Sequence, residues 1–322
     1  MTTTRRTFLA GAAATGLHGL TASTFPAQHR STVKMIDAHV HVYKHDPSFP
    51  FAVGATVPEQ DYPVESLIAL MRANGVSHTV IVQIIHYKWD NRYLASVLKR
   101  YPRLFHGVCR VNPEDPNAPD HLSQLTQDRF RGVRLSPTAS AEGDWIRRPL
   151  MQPLWRRCAE LKVPMTLLIP VSRISDIRPL IEANPDLDVI IDHMAGCPLN
   201  HPDQLALLTS LARFPRVYIK ISELWMISTQ PYPYADTKPR IQRLIEAFGA
   251  NRLMWATNWP VSLQKLTYRS AVALYRDHME YLSASEREAI LSGTVQRLWP
   301  FSSEISTPSS STPVDSTTLM GH

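Results

Sequence analysis

The sequence predicts an α/β protein built as a single-domain (β/α)8 TIM barrel, and three observations carry that expectation. Eight short apolar runs alternate with amphipathic stretches along the chain. The runs read as continuous Val/Ile/Leu segments, as strands do when crossover helices cover both faces of a parallel sheet. No Gly-rich phosphate turn follows any of them, which disfavours the doubly wound open sheet, the main rival fold. Composition is compatible: 322 residues, 44% hydrophobic and 19% charged, suffice for one large core.

In chain order the expected strands are 35–41, 78–85, 105–111, 132–135, 164–169, 189–193, 217–221 and 253–257. Between them, stretches at 64–73, 92–99, 150–161, 174–183, 202–212, 239–248 and 267–281 read as helices, several with apolar residues spaced three and four apart. Asp90-Asn91 reads as the cap that opens the second helix. Polar capping types around Ser175 and Asp176 open the helix at 174, and Ala183-Asn184-Pro185 stops it. The barrel domain is expected over 33–301.

The two ends read differently. Thr4-Arg5-Arg6-Thr7-Phe8-Leu9 and the alanines after it resemble a twin-arginine export signal over 1–27, too short and too weakly apolar to span a membrane. That implies a periplasmic or secreted protein, the alternative being a basic tail on a cytoplasmic one. Residues 302–322 are rich in Ser, Thr and Pro and are expected to be disordered. The net charge of +6 is spread along the chain in nothing denser than pairs, which argues against nucleic acid as a partner. Cys109, Cys158 and Cys197 are odd in number and lack metal-type spacing, so no disulfide framework or thiolate metal site is expected. Oligomeric state is not readable.

Barrel chemistry belongs at the C-terminal ends of the strands. The first strand ends Asp37-Ala38-His39-Val40-His41, where strict alternation would place Asp37, His39 and His41 on one face. Two imidazoles so placed can ligate one metal ion, with a carboxylate nearby to orient a ring nitrogen. His193 leaves the sixth strand at the same level. The eighth run, Met254-Trp255-Ala256-Thr257-Asn258-Trp259-Pro260, ends on an amide that can neither accept a proton nor replace a carboxylate as a metal ligand, though it can position substrate or water. Arg134 and Lys220 end two further strands as cations for an anionic substrate or transition state, and Gln83 and His86 close the second. Each of these four could equally pair with a buried carboxylate or carbonyl.

These motifs, together with Gly132-Val133-Arg134-Leu135, Asp192-His193-Met194-Ala195-Gly196-Cys197-Pro198 and Tyr218-Ile219-Lys220-Ile221-Ser222, resemble the successive strand motifs of the amidohydrolase-related family. The likeness is to its lactonase-type branch, and it runs from about 35 to 301. The resemblance implies a hydrolase opening a lactone or similar cyclic ester or amide by water attack on a polarised carbonyl. It implies His39, His41 and His193 as ligands of one zinc or other divalent ion, or as polar and acid–base groups in a metal-free reaction. His193 and Asn258 are the candidate catalytic residues; Arg134, Lys220, Gln83 and His86 are the candidate substrate contacts. Two departures stand out: the fifth strand, 164–169, carries no His or Lys, and Asn258 stands where the family pattern has Asp. A two-metal centre is therefore not expected, and the group that takes the proton from water is open among His193, His86 and His45. A decarboxylase on the same scaffold and a catalytically silent ligand-binding barrel are the alternatives.

Overall fold

The computed structural model describes residues 34–136 and 145–302. The expected signal segment, the tail beyond Ser302 and most of the loop after the fourth strand lie outside the described residues. Eight parallel strands follow in sequence order, each paired to the next: β1 Met35–Val40, β2 Val76–Val82, β3 Phe105–Cys109, β4 Phe130–Leu135, β5 Met165–Leu167, β6 Val189–Ile191, β7 Val217–Lys220 and β8 Leu253–Met254. The His41 N–H donates to Trp259 O at 2.7 Å and the Asn258 N–H to His39 O at 3.0 Å, which brings the end of the chain's last strand back onto β1. Strand order and closure are those of the expected barrel.

All eight anticipated strands form, most of them shorter at the C-terminal end than their apolar runs. In seven of the eight the run continues past the ladder, and His41 and His193, at the ends of the first and sixth runs, stand there at the mouth. Helices pack outside: α1 Val64–Asn74, α2 Arg92–Arg100, α3 Ala118–Gln127, α4 Met151–Leu161, α5 Ile174–Ala183, α6 Pro202–Thr209, α7 Lys238–Phe248 and α8 Tyr268–Asp277. Helix α3 escapes sequence reading because it buries only Ala118 and Leu122, too thin a stripe to stand out. After α8 a helical run over 284–298 includes a wider turn at Ala289–Gly293.

The apolar interior has two parts. A large layer fills the space between strands and helices, including Trp155, Leu154, Ile177 and Leu244. A smaller cluster inside the barrel joins Ile36, Ala38, Val80, Val82, Val108, Ile190 and Met254 to Val295, Trp299 and Phe301, so the end of the described chain contributes to the barrel's own filling. The Trp299 Nε1–H donates to Arg131 O at 2.7 Å, and His106 and His78 stack near Phe301. The polar mouth is thereby left at the opposite end of the strands.

At the start of α8 the Thr267 hydroxyl accepts the Ser270 N–H at 3.1 Å, satisfying a donor the helix cannot. Thr267→Ala should cost about 1 kcal/mol. A urea unfolding curve with a lower midpoint and unchanged slope checks it.

Candidate active site

Asp192 is the centre of the mouth. It follows β6 directly and is fully buried. Its Oδ1 lies 3.0 Å from Lys220 Nζ and 3.3 Å from His39 Nδ1, and its Oδ2 accepts Arg134 Nε at 3.0 Å. Burial alone would raise this carboxyl, but Lys220, His39 and Arg134 around it hold it well below the ordinary carboxylate range. Asp192 is thus a fixed anion that gathers side chains from β1, β4 and β7.

Strict alternation would send one of Asp192 and His193 inward and the other outward. Both reach the mouth because the chain leaves extended geometry here: His193, Met194, Ala195 and Gly196 take φ values of 51°, 53°, 56° and 58°. Left-handed conformations cost L-residues roughly 1–2 kcal/mol each, so a run of three is held by its surroundings. His193 Nδ1 then meets the Ser222 hydroxyl at 2.6 Å, and its ring lies 4.9 Å from that of His39.

The first strand departs from the expected alternation. Its register shifts between Asp37 and Val40, and Asp37 parts from the two imidazoles. The Asp37 carboxylate instead accepts the N–H groups of His39 and Thr257, each at 3.1 Å, and the Thr257 hydroxyl at 2.6 Å. Burial pushes it up to about 6. The carboxylate that faces a ring nitrogen is Asp192. His39 Nε2 and His41 Nε2 lie 3.1 Å apart, and His41 Nδ1 is 2.7 Å from Val82 O. A carbonyl only accepts, so in the neutral ring the His41 proton sits on Nδ1 and Nε2 carries the lone pair. Burial lowers the pKa of His39, His41 and His193, keeping all three neutral near pH 7.

A cavity of about 320 Å³ opens above this cluster, lined by His41, Arg110, Arg134, Ser136, His193, Glu223 and Asn258 among others. The Asn258 amide donates to Glu223 Oε1, and both residues have positive φ, 54° and 58°. Arg110 donates to the Ser136 hydroxyl at 2.9 Å and stands over the Trp89 ring.

The remaining expected contacts lie elsewhere. Lys220 is fully buried on Asp192 and His39 and does not line the cavity. Gln83 is buried and donates to Asp90 O at 2.6 Å. His86 faces a different cavity, with Tyr43, Tyr62 and Pro260. His45 is exposed and bonded to Asp61 at 2.7 Å. Sequence reading missed Arg110, Ser136 and Glu223. Arg110 and Ser136 end apolar runs as Arg134 does, a signal that was there to use. Glu223 stands two residues past the seventh run and looks, in one dimension, like any surface glutamate.

His39, Asp192 and His193 offer ligand atoms within 4.8 Å of one another, close enough to hold a metal ion. A family model for amidohydrolases matches residues 36–301. The chain belongs to the amidohydrolase family. An L-fucono-1,5-lactonase of Burkholderia ambifaria is 29% identical to this amidohydrolase over 236 residues, covering 70% of this chain and 80% of that one. A 4-sulfomuconolactone hydrolase of Rhizobium radiobacter is 27% identical over 229 residues, covering 70% and 75%. A crystal structure assigned as a 2-pyrone-4,6-dicarboxylic acid hydrolase of Pseudomonas putida superposes with a TM-score of 0.72 at 28% identity, covering 84% of this chain and 99% of that one. The amidohydrolase described here is accordingly a hydrolytic enzyme. Among its described residues no helix is long and apolar enough to cross a membrane.

Proposed function

We propose that the enzyme opens the ring of a lactone that carries a negatively charged group. The observation that carries this reading is the cavity itself, where Arg110 and Arg134 line the same 320 Å³ space as His41, His193, Asn258 and Glu223. The three relatives described above are named for cyclic esters, and two of those names, the sulfomuconolactone and pyrone dicarboxylic acid hydrolases, denote substrates with anionic groups. In this reading Arg110 binds the substrate's anionic group, a fork donor matched to carboxylate or sulfonate. Arg134, fixed through Nε to Asp192, turns its remaining N–H groups to the carbonyl oxygen that becomes negative as water adds. Burial at the floor excludes bulk water and strengthens both contacts.

The donor set also fits a divalent cation. When the His39 Nδ1 proton faces Asp192, the Nε2 lone pairs of His39 and His41 turn toward each other, and two such neutral nitrogens repel unless a cation or proton lies between them. His39, His41 and His193 would then hold one zinc, with Asp192 orienting His39 from behind. Such an ion supplies Lewis acidity to a carbonyl. An exported, folded enzyme carrying a metal would also suit the signal-like segment at 1–27.

The test is hydrolysis of a panel of neutral and anionic lactones, with metal content measured on protein purified without chelator. Turnover should favour the anionic members, fall at least tenfold on chelation and return with zinc. Turnover that ignores chelation would leave the histidines as polar groups alone. Absence of turnover on every lactone would overturn the reading.

A further inference from the structure

The amide at position 258 leaves the proposed reaction without its expected base, and the structure holds another carboxylate in reach. Glu223 is the sole acidic residue lining the cavity among the described residues. Asp192 is not a competitor, because Lys220 and Arg134 already neutralise it. Asp37 is turned to Thr257 and away from the cavity. Nδ1 of His41 and of His193 is engaged by Val82 O and by the Ser222 hydroxyl, and Nε2 of His41 faces His39 Nε2 at 3.1 Å.

Glu223 is also held in place. Its backbone takes the left-handed conformation, φ 58° and ψ 37°, between Ser222, which anchors His193, and the helical turn Leu224–Ile227. Its Oε1 accepts the Asn258 amide N–H, which fixes the orientation of that amide, because only the NH2 side can face a carboxylate. The Asn258 Oδ1 is therefore defined as the other atom, and it is buried with no hydrogen-bond partner in the structure. A buried carbonyl of this kind asks for a donor. A water molecule between Asn258 Oδ1 and the other carboxylate oxygen of Glu223 would supply one.

We infer that Glu223 is the general base of this enzyme, with Asn258 as the residue that positions both the carboxylate and the attacking water. The inference rests on the lactone reading above. Water oxygen bonds to the lactone carbonyl carbon while one of its protons passes to Glu223. The tetrahedral intermediate then collapses, the bond from carbon to ring oxygen breaks, and Glu223 returns the proton to that oxygen, giving the hydroxy acid. A carboxylate absent at the end of β8 is thus supplied from the end of β7, through an amide that became its partner.

The experiment compares wild type, Glu223→Gln and the double variant Glu223→Gln with Asn258→Asp on whichever lactone wild type turns over best, with thermal melts to show that each is folded. Glu223→Gln should lower kcat about a hundredfold, leave KM within a few-fold and remove the acid limb of the pH–rate profile. The double variant should regain a measurable part of kcat and the acid limb with it, since it returns a carboxylate to the same water. Wild-type turnover matched by Glu223→Gln, with an unchanged acid limb, would overturn the assignment alone. No turnover by wild type would overturn the lactone reading and this assignment together.

Discussion

Asp192→Asn should leave a protein of the same shape that is 3–5 kcal/mol less stable and at least 10³-fold less active. The side chain is isosteric, so packing survives, but the anion that Lys220 and Arg134 share is gone. Lys220 is fully buried, and a buried ammonium without its counter-charge is among the costliest defects a core can carry. In a domain of this size the loss lowers Tm by roughly 10 °C. Activity falls for a separate reason: His39 and Arg134 lose the atom that orients them. Adding Lys220→Met should recover most of the stability and none of the activity, which separates the two effects in one double-mutant cycle. The sign of the pH dependence follows from the depressed Asp192 carboxyl. Its contribution is complete above the unfolded carboxylate range, near pH 4, and is lost as acid carries the pH below it. The wild-type advantage over Asp192→Asn should therefore be constant at neutral pH and shrink in strong acid, as unfolding midpoints at several pH values would show.

Arg134→Lys should keep the fold and lower kcat/KM by about 10³. One side chain does two jobs at once, because its Nε is committed to Asp192 while the residue also lines the cavity. A lysine ammonium is a single point and can serve either the aspartate or the substrate oxygen. Its pairing with Asp192 preserves charge balance, so stability should change by no more than about 1 kcal/mol. The loss should appear in kcat more than in KM, as expected for a donor whose bond strengthens when the oxygen becomes negative. A matching loss in KM alone would assign Arg134 to ground-state binding.

The fold was legible because its signals are local and repeated. Each strand is an apolar run, and eight runs with helices between them admit few arrangements. The boundaries were less so: the runs continue past the ladder because residues such as Ile221 and Ala256 are buried beyond its last residues. In the site, His39, His41, His193, Arg134 and Asn258 could be found by asking what stands at strand ends. Their connections could not. Period-two alternation gave Asp37 to the imidazoles, and a shift within β1 gave that place to Asp192. Lys220 looked like a substrate contact because sequence shows a cation near the mouth but not which way the charge is spent. Glu223 stayed hidden for a related reason. Its direction depends on one positive φ angle, which no side-chain pattern announces.

The left-handed turn from His193 to Gly196 has a meaning for the energy landscape of the whole chain. Three of its four residues have no intrinsic preference for the shape they hold, so local and global demands conflict there. Along the strands the two agree, since those segments are rich in β-formers. The mouth is thus a frustrated patch set in a consistent frame. Neighbours flank it on both sides, Asp192 within its ion cluster and Ser222 on the His193 ring. Ring opening, on this view, is performed by the part of the molecule least able to fold by itself.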